Sequence, residues 1–324
     1  MVTYTKLRQH PKAAPSLIGM RLSDFDALYA EFEEIHAQRV RESSLTRRGR
    51  KPRQRAAGAG RRHRYPLRDR LLMTLFWLRA YMTYEVLGFF YDLNKTNVED
   101  ILHAVVATLE HMTTFTFERP RADRPKLRSA QAVMDAFPDV RLVIDAKEQR
   151  IQRPQNTKDD HGQTRDTQRP YYSGKKKAHT LKNQVGVRPD GLIEALSDSV
   201  PGGATHDLTL LRQTNLLSEL ESDEAAMLDK GYDGIQNNYP DVRLHQPYKA
   251  RRNHPLTEEL KAFNRHLSRY RIVVEHTNAL LNKFQVLAQV FRHARAWHGR
   301  IIRVVAGLVN RRIQANPLKT YAAA

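Results

Sequence analysis

The chain has 324 residues, 40% of them hydrophobic, and carries 54 Lys and Arg against 35 Asp and Glu for a formal charge of +19. That apolar content supports a packed core in one large domain or two smaller ones, and the charge favours a polyanionic partner such as nucleic acid. The lack of cysteine excludes disulfides, thiol nucleophiles and thiolate-bound zinc and suits a reducing cytosol; no apolar stretch reaches the ~20 residues of a membrane span, and residues 1–19 lack the apolar run of a secretory signal.

In chain order, the first predicted helix covers residues 22–35, with Ser23 as cap and Leu22, Phe25, Leu28, Tyr29, Phe32 and Ile35 on one face. It belongs to an N-terminal helical segment, residues 1–45. Residues 46–64 form a basic linker that includes Arg47, Arg48, Arg50, Lys51 and Arg53 and contains no acid. A run so pure in sign gains counterion-release energy on DNA phosphates, so these side chains are DNA-contact candidates.

Residues 65–120 read as a helical DNA-binding region. One helix starts at Leu67, a second follows Thr83 as N-cap, and a turn over residues 92–96 leads into a third helix from Asn97, capped by Thr96. Two short helices joined by a tight turn make helix-turn-helix grammar, with Asn94, Lys95, Thr96 and Asn97 as the groove-facing candidates. A plain helical bundle has the same periodicity.

After Pro138 the pattern changes to α/β and continues to residue 316. A strand is predicted over Val-Arg-Leu-Val-Ile-Asp, closing on Asp145. A hairpin follows, its arms at 175–187 and 191–200 flanking Arg188-Pro-Asp-Gly; the first arm begins with Lys175, Lys176 and Lys177. Then come a helix over 207–220, a strand closing on Asp229, a further strand over 242–248, a long helix over 256–284 that carries Glu275, and a last helix over 297–313. Functional groups gather at strand carboxyl ends in open sheets, so Asp145 and Asp229 would lie side by side if their strands are neighbours. Three carboxylates converging in so basic a chain point to a divalent metal acting on phosphodiesters. Caps and surface ion pairs are the plainer explanation of each acid taken singly.

The surrounding motifs resemble a family. Leu-Val-Ile-Asp-Ala at Asp145, Lys-Lys-Lys-Ala-His-Thr from Lys175, Pro-Gly-Gly-Ala-Thr-His-Asp ending at Asp207, Leu-Asp-Lys-Gly-Tyr-Asp-Gly around Asp229 and Arg-Ile-Val-Val-Glu-His around Glu275 are similar to the DDE transposases of bacterial insertion sequences, in the branch related to Harbinger elements. The resemblance implies a ribonuclease-H-like mixed sheet flanked by helices over residues 138–316, preceded by an all-α helix-turn-helix region. It also implies two Mg²⁺ (or Mn²⁺) ions per site, binding of element terminal repeats, strand cleavage and joining of 3′-hydroxyl ends to target DNA by a homodimer, in the cytoplasm on the nucleoid. Asp145, Asp229 and Glu275 become the three catalytic, metal-binding acids. Asp207 is the alternative second acid, set behind Asp229 because it starts a helix. Arg271, one turn before Glu275, matches a basic residue suited to phosphate. A Lys that commonly stands seven residues after the Glu is Asn282 here, and the neighbouring Lys283 is kept as a DNA contact only, since one residue turns a helix face by about 100°. Tyr232 and Tyr270 are candidates for stacking on an unpaired base or for core packing. A DNA-binding protein of transposon descent that has lost its chemistry is the competing reading, and the presence of all three acids argues against it.

Overall fold

The computed structural model describes residues 2–45, 63–112, 137, 139–158, 163–214, 216–250 and 255–315. These divide into two compact units: the residues before 117 together with Lys283–Val286 and Arg300–Val305, and the remainder. Arg47, Arg48, Arg50, Lys51 and Arg53 lie outside the described residues. Among those described, no helix is long and apolar enough to cross a membrane.

The first unit opens with two short helices that the sequence pattern does not signal, α1 (Tyr4–Gln9) and α2 (Ala14–Ile18). Gly19 ends α2 at φ 83°, a left-handed conformation in which a Cβ is strained. Helix α3 runs Leu22–Leu45, well past the predicted end. Ser23 is inside it and not its cap, because the Phe25 amide already bonds the Arg21 carbonyl. The middle of the apolar face predicted for this helix is buried, with Phe25, Leu28 and Phe32 wholly inaccessible, while Leu22 and Ile35 at its ends are half-buried. The remaining helices are α4 (Leu67–Ala80), α5 (Tyr84–Tyr91) and α6 (Lys95–Glu110). Thr83 caps α5 as expected, its Oγ1 accepting from the Val86 amide at 3.3 Å. The cap of α6 is Asn94 and not Thr96: Asn94 Oδ1 accepts from the Asn97 amide at 2.8 Å, so the turn is two residues shorter than predicted. Asparagine outranks threonine in this role, and its cap lets the turn close through the Leu93 amide on the Gly88 carbonyl at 2.9 Å.

The second unit is built on a seven-stranded mixed sheet. Strand β1 (Val140–Arg150) is central. A two-stranded ribbon, β2 (Thr157–Lys158) with β3 (Thr164–Arg165), stands apart from the sheet. Strand β4 (Tyr172–Ser173) leads into β5 (Ala178–Val187), which pairs antiparallel with β1 from Val143↔Val187 to Arg150↔Thr180. The outer edge of β5 is shared by β4, β6 (Ile193–Leu196) and β7 (Val200–Pro201). On the far side of β1, β8 (Ala225–Met227) and β9 (Arg243–His245) run parallel to it. Antiparallel strands on one side of a long central strand and parallel ones on the other give the ribonuclease-H-like order that the resemblance implies. The predicted hairpin is present: Gly191 turns at φ 88° and its amide bonds the Arg188 carbonyl at 2.9 Å. Its first arm starts later than expected, because Lys175, Lys176 and Lys177 form the turn before β5, with Lys177 at φ 46°.

Among the described residues, three helices of eight residues or more complete this part: α7 (Asp207–Thr214), the long α8 (Glu258–Asn282) and α9 (Arg295–Ala315), the last shared between the units. Alternation along β1 sorts its side chains onto two faces. Leu142 and Ile144 join Leu211, Ala226, Leu228 and Tyr232 in one core on the α7 face. Asp145 and Lys147 point to the other face, where α8 lies and buries Val273, Val274, Thr277 and Leu281.

Candidate active site

Contrary to the sequence pattern, Asp145 does not close its strand: β1 continues for five more residues to Arg150. What ends near it is the partner, since parallel pairing of β1 with β8 stops at Val143↔Met227. The chain leaves β8 through Leu228, and Asp229 N-caps a 3-10 turn over Lys230–Tyr232, its Oδ1 accepting from the Lys230 amide at 2.6 Å. Asp145 and Asp229 therefore stand the same two residues beyond a matched pair of parallel strands, which directs both to one face. The predicted adjacency of these acids follows from the neighbouring strands.

Helix α8 covers that face in register. Arg271 Nη1 meets Asp229 Oδ1 at 3.1 Å, and Asn278 Nδ2 donates to Asp145 Oδ2 at 3.2 Å. Asn282 Oδ1 accepts from the Lys147 ammonium. Four helical residues advance about 6 Å and two strand residues nearly 7 Å, so Asn278 and Asn282 match Asp145 and Lys147 along β1. Glu275 is four residues after Arg271 and three before Asn278, on the same stripe of α8. Its side chain is exposed and makes no hydrogen bond or ion pair among the described residues.

Asp207 is held differently. It begins α7 on the opposite face, and its Oδ1 meets Lys182 Nζ at 2.8 Å. Lys182 is 5% exposed and also contacts Glu148 at 3.3 Å and the Thr205 carbonyl at 2.7 Å. Glu148 and Lys182 are cross-strand partners on β1 and β5. The charge of Asp207 is thus committed to a buried lysine, whereas the partner of Asp229 is the arginine on α8.

Burial raises the Asp145 carboxyl above its ordinary value; the Ala146 amide and Arg271 oppose that rise, and the Asp229 and Asp207 charges add to it. Burial likewise pulls Lys147 down to about 8, with Lys176 adding and Asp145 opposing. A buried, proton-seeking carboxylate beside a second one is an environment that a divalent cation relieves. Two further atoms suit such chemistry. Asn278 Oδ1, a hard oxygen next to Asp145, is buried with no hydrogen-bond partner, and so is Arg271 Nε, a donor of the kind phosphate oxygens accept. Among the described residues, no three acidic or histidine side chains already converge as a metal cage. Asp145 and Asp229 with open coordination fit a hard divalent ion that takes its remaining ligands from water and phosphate.

The other predicted residues are scattered. Asn94, Lys95, Thr96 and Asn97 are all exposed at the start of α6, where Lys95 pairs with Glu85 at 3.0 Å. Lys175, Lys176 and Lys177 are exposed in the turn before β5. Lys283 lies one residue past α8 and is grouped with the first unit, its carbonyl accepting from Arg79. Tyr232 is a core residue, 1% exposed and hydrogen-bonded by Gln184, so it is not placed to stack on a base. Tyr270 packs edge-on against Phe137 and His266. Sequence reasoning missed Lys147, Asn278 and Lys182. The spacing of Lys147 from Asp145 along a strand, and of Asn278 from Glu275 along a helix, was the available signal.

A helical region with a capped tight turn, followed by a mixed sheet bearing two aligned carboxylates under a basic helix face, is the layout of a DNA-processing nuclease. Residues 144–310 match the DDE superfamily endonuclease family and residues 63–115 match the helix-turn-helix of DDE superfamily endonuclease, so the chain belongs to the DDE superfamily endonucleases. It is similar to the probable transposase for insertion sequence element IS702 of Microchaete diplosiphon, at 28% identity over 78% of this chain and 82% of that relative. A shorter likeness, 38% identity over 28% of this chain and 31% of the relative, is to the transposase for insertion sequence element IS1106 of Neisseria meningitidis serogroup B. No solved structure matches the chain.

Proposed function

We propose that the protein is an insertion-sequence transposase that binds the terminal repeats of its element, cleaves DNA there and joins the freed 3′-hydroxyl ends to target DNA. The observation that carries this reading is the matched register of Asp145 and Asp229 beneath Arg271, within a chain of +19 formal charge. Asp145, Asp229 and Glu275 are the acids assigned to hold Mg²⁺ or Mn²⁺, two ions per site. When bound, such ions polarise the phosphoryl group and stabilise the attacking and leaving oxygens.

The chain's own residues do the rest. Arg271 orients Asp229 and offers its unpartnered Nε to a phosphate oxygen. Asn278 fixes the rotamer of Asp145. The start of α6, with Asn94, Lys95, Thr96 and Asn97, reads or grips the element end, and Lys175–Lys177 and Lys283 with the Arg47–Arg53 run contact the DNA backbone. Two element ends call for two active sites, hence a homodimer on DNA, in the cytoplasm at the nucleoid.

The test is incubation of the purified chain with duplexes covering the DNA that flanks the coding sequence, with Mg²⁺, and mapping of nicks at nucleotide resolution. Asp145→Asn, Asp229→Asn and Glu275→Gln should each abolish cutting while retaining end binding. Cutting that survives in Asp229→Asn and disappears in Asp207→Asn would move the second acid to Asp207.

A further inference from the structure

Two inward-reaching lysines on the central strands have opposite circumstances. Lys182 on β5 is paired with both Asp207 and Glu148. Lys147 on β1, two residues after Asp145 on the α8 face, forms no ion pair among the described residues; its ammonium donates to the neutral Asn282 Oδ1. Burial and the charge of Lys176, from the turn before β5, disfavour its charged form, and Asp145 favours it. A half-buried ammonium held by an amide and facing a second cation is costly unless an anion arrives.

We propose that Lys147, steadied by Asn282, binds a backbone phosphate of the DNA strand that crosses Asp145 and Asp229. The inference rests on the transposase reading for the identity of that strand. The spacing supports it: Lys147 follows Asp145 by about 7 Å along β1, close to the separation of successive phosphates on one strand. Arg271 beside Asp229 and Lys147 beyond Asp145 then bracket the paired acids with one donor at each end.

The experiment measures binding of fluorescein-labelled duplexes, covering the DNA that flanks the coding sequence, to the full chain across a salt series. In Lys147→Met the log–log salt slope should flatten by about one unit, and affinity should fall roughly ten- to a hundredfold. Lys147→Arg should restore both. Replacing single phosphates by neutral methylphosphonates should identify one position that weakens the wild type and leaves Lys147→Met indifferent, a coupling that a merely structural role would not produce. An unchanged slope and affinity in Lys147→Met would overturn the proposal. A wild type that binds and never cuts would instead sink the transposase reading, with the salt slope still deciding for or against Lys147.

Discussion

At the scale of single residues, Asp207 and Asp229 show how environment separates two carboxylates that a motif leaves in competition. Asp207 neutralises a lysine that is 5% exposed, so Asp207→Asn leaves Lys182 with Glu148 and a carbonyl. The expected cost is roughly 1–3 kcal/mol of stability, seen as a lowered melting temperature. The Asp229 side chain is 46% exposed and its pairing with Arg271 is worth less than about 1 kcal/mol, while an Asn there still caps the following turn. Asp229→Asn should therefore melt near the wild type and lose cutting, and measuring both properties on both variants separates a structural acid from a reacting one. His298 gives a pH prediction. Burial, with Lys147 adding, lowers it to about 4, and it sits between Ser199 at 2.7 Å and Gln149 at 2.8 Å. A histidine kept neutral in the fold binds its proton first in the unfolded chain. Stability should therefore fall as pH drops from about 6.5, levelling off below about 4, by on the order of 3 kcal/mol. Thermal melts of His298→Gln should show a shallower acid dependence over that window than the wild type.

At the scale of elements, caps and turns decide how the DNA-reading helices are presented. Asn94 supplies the α6 cap, and Asn94→Ala should cost about 1 kcal/mol and weaken end binding by fraying the exposed first turn. Gly88 is more demanding, because a Cβ there would lie 2.4 Å from the Leu93 carbonyl oxygen, part of the backbone that closes the turn. Gly88→Ala should cost roughly 2 kcal/mol or more and disrupt DNA binding further, which a melt and a binding titration on the same sample will show. These elements were legible in the sequence where a side-chain signal preceded a periodic run, as at Thr83 and at Arg188-Pro-Asp-Gly. They are less legible where two polar residues compete: the pattern favours Thr96 as the cap, and Asn94 takes it. Helices α1 and α2 were missed altogether, since six and five residues carry too few turns to display a face.

At the scale of the whole molecule, the residues before 46 are part of a core and not an appendage, since Phe25, Leu28 and Phe32 are inaccessible. Removing that segment would confound loss of fold with loss of charge. A cleaner probe of the basic run exchanges Arg47, Arg48, Arg50, Lys51 and Arg53 for Gln. The salt slope of DNA binding should flatten by about 0.9 for each phosphate that the variant no longer neutralises, with little change in melting; an unchanged slope would reduce the run to a tether. Sequence alone determined the succession of helical and α/β halves and the hairpin, because hydrophobic period and turn chemistry are local properties of the chain. Only the tertiary structure decided who faces whom. Parallel pairing of β1 with β8 brings Asp145 level with Asp229. Strand alternation sends Glu148 and Lys182 to Asp207 on one face, and the match between helical rise and strand rise sets Asn282 over Lys147 on the other. Those partnerships join residues up to 135 positions apart, and no local pattern encodes a contact between segments that meet only when the sheet is assembled.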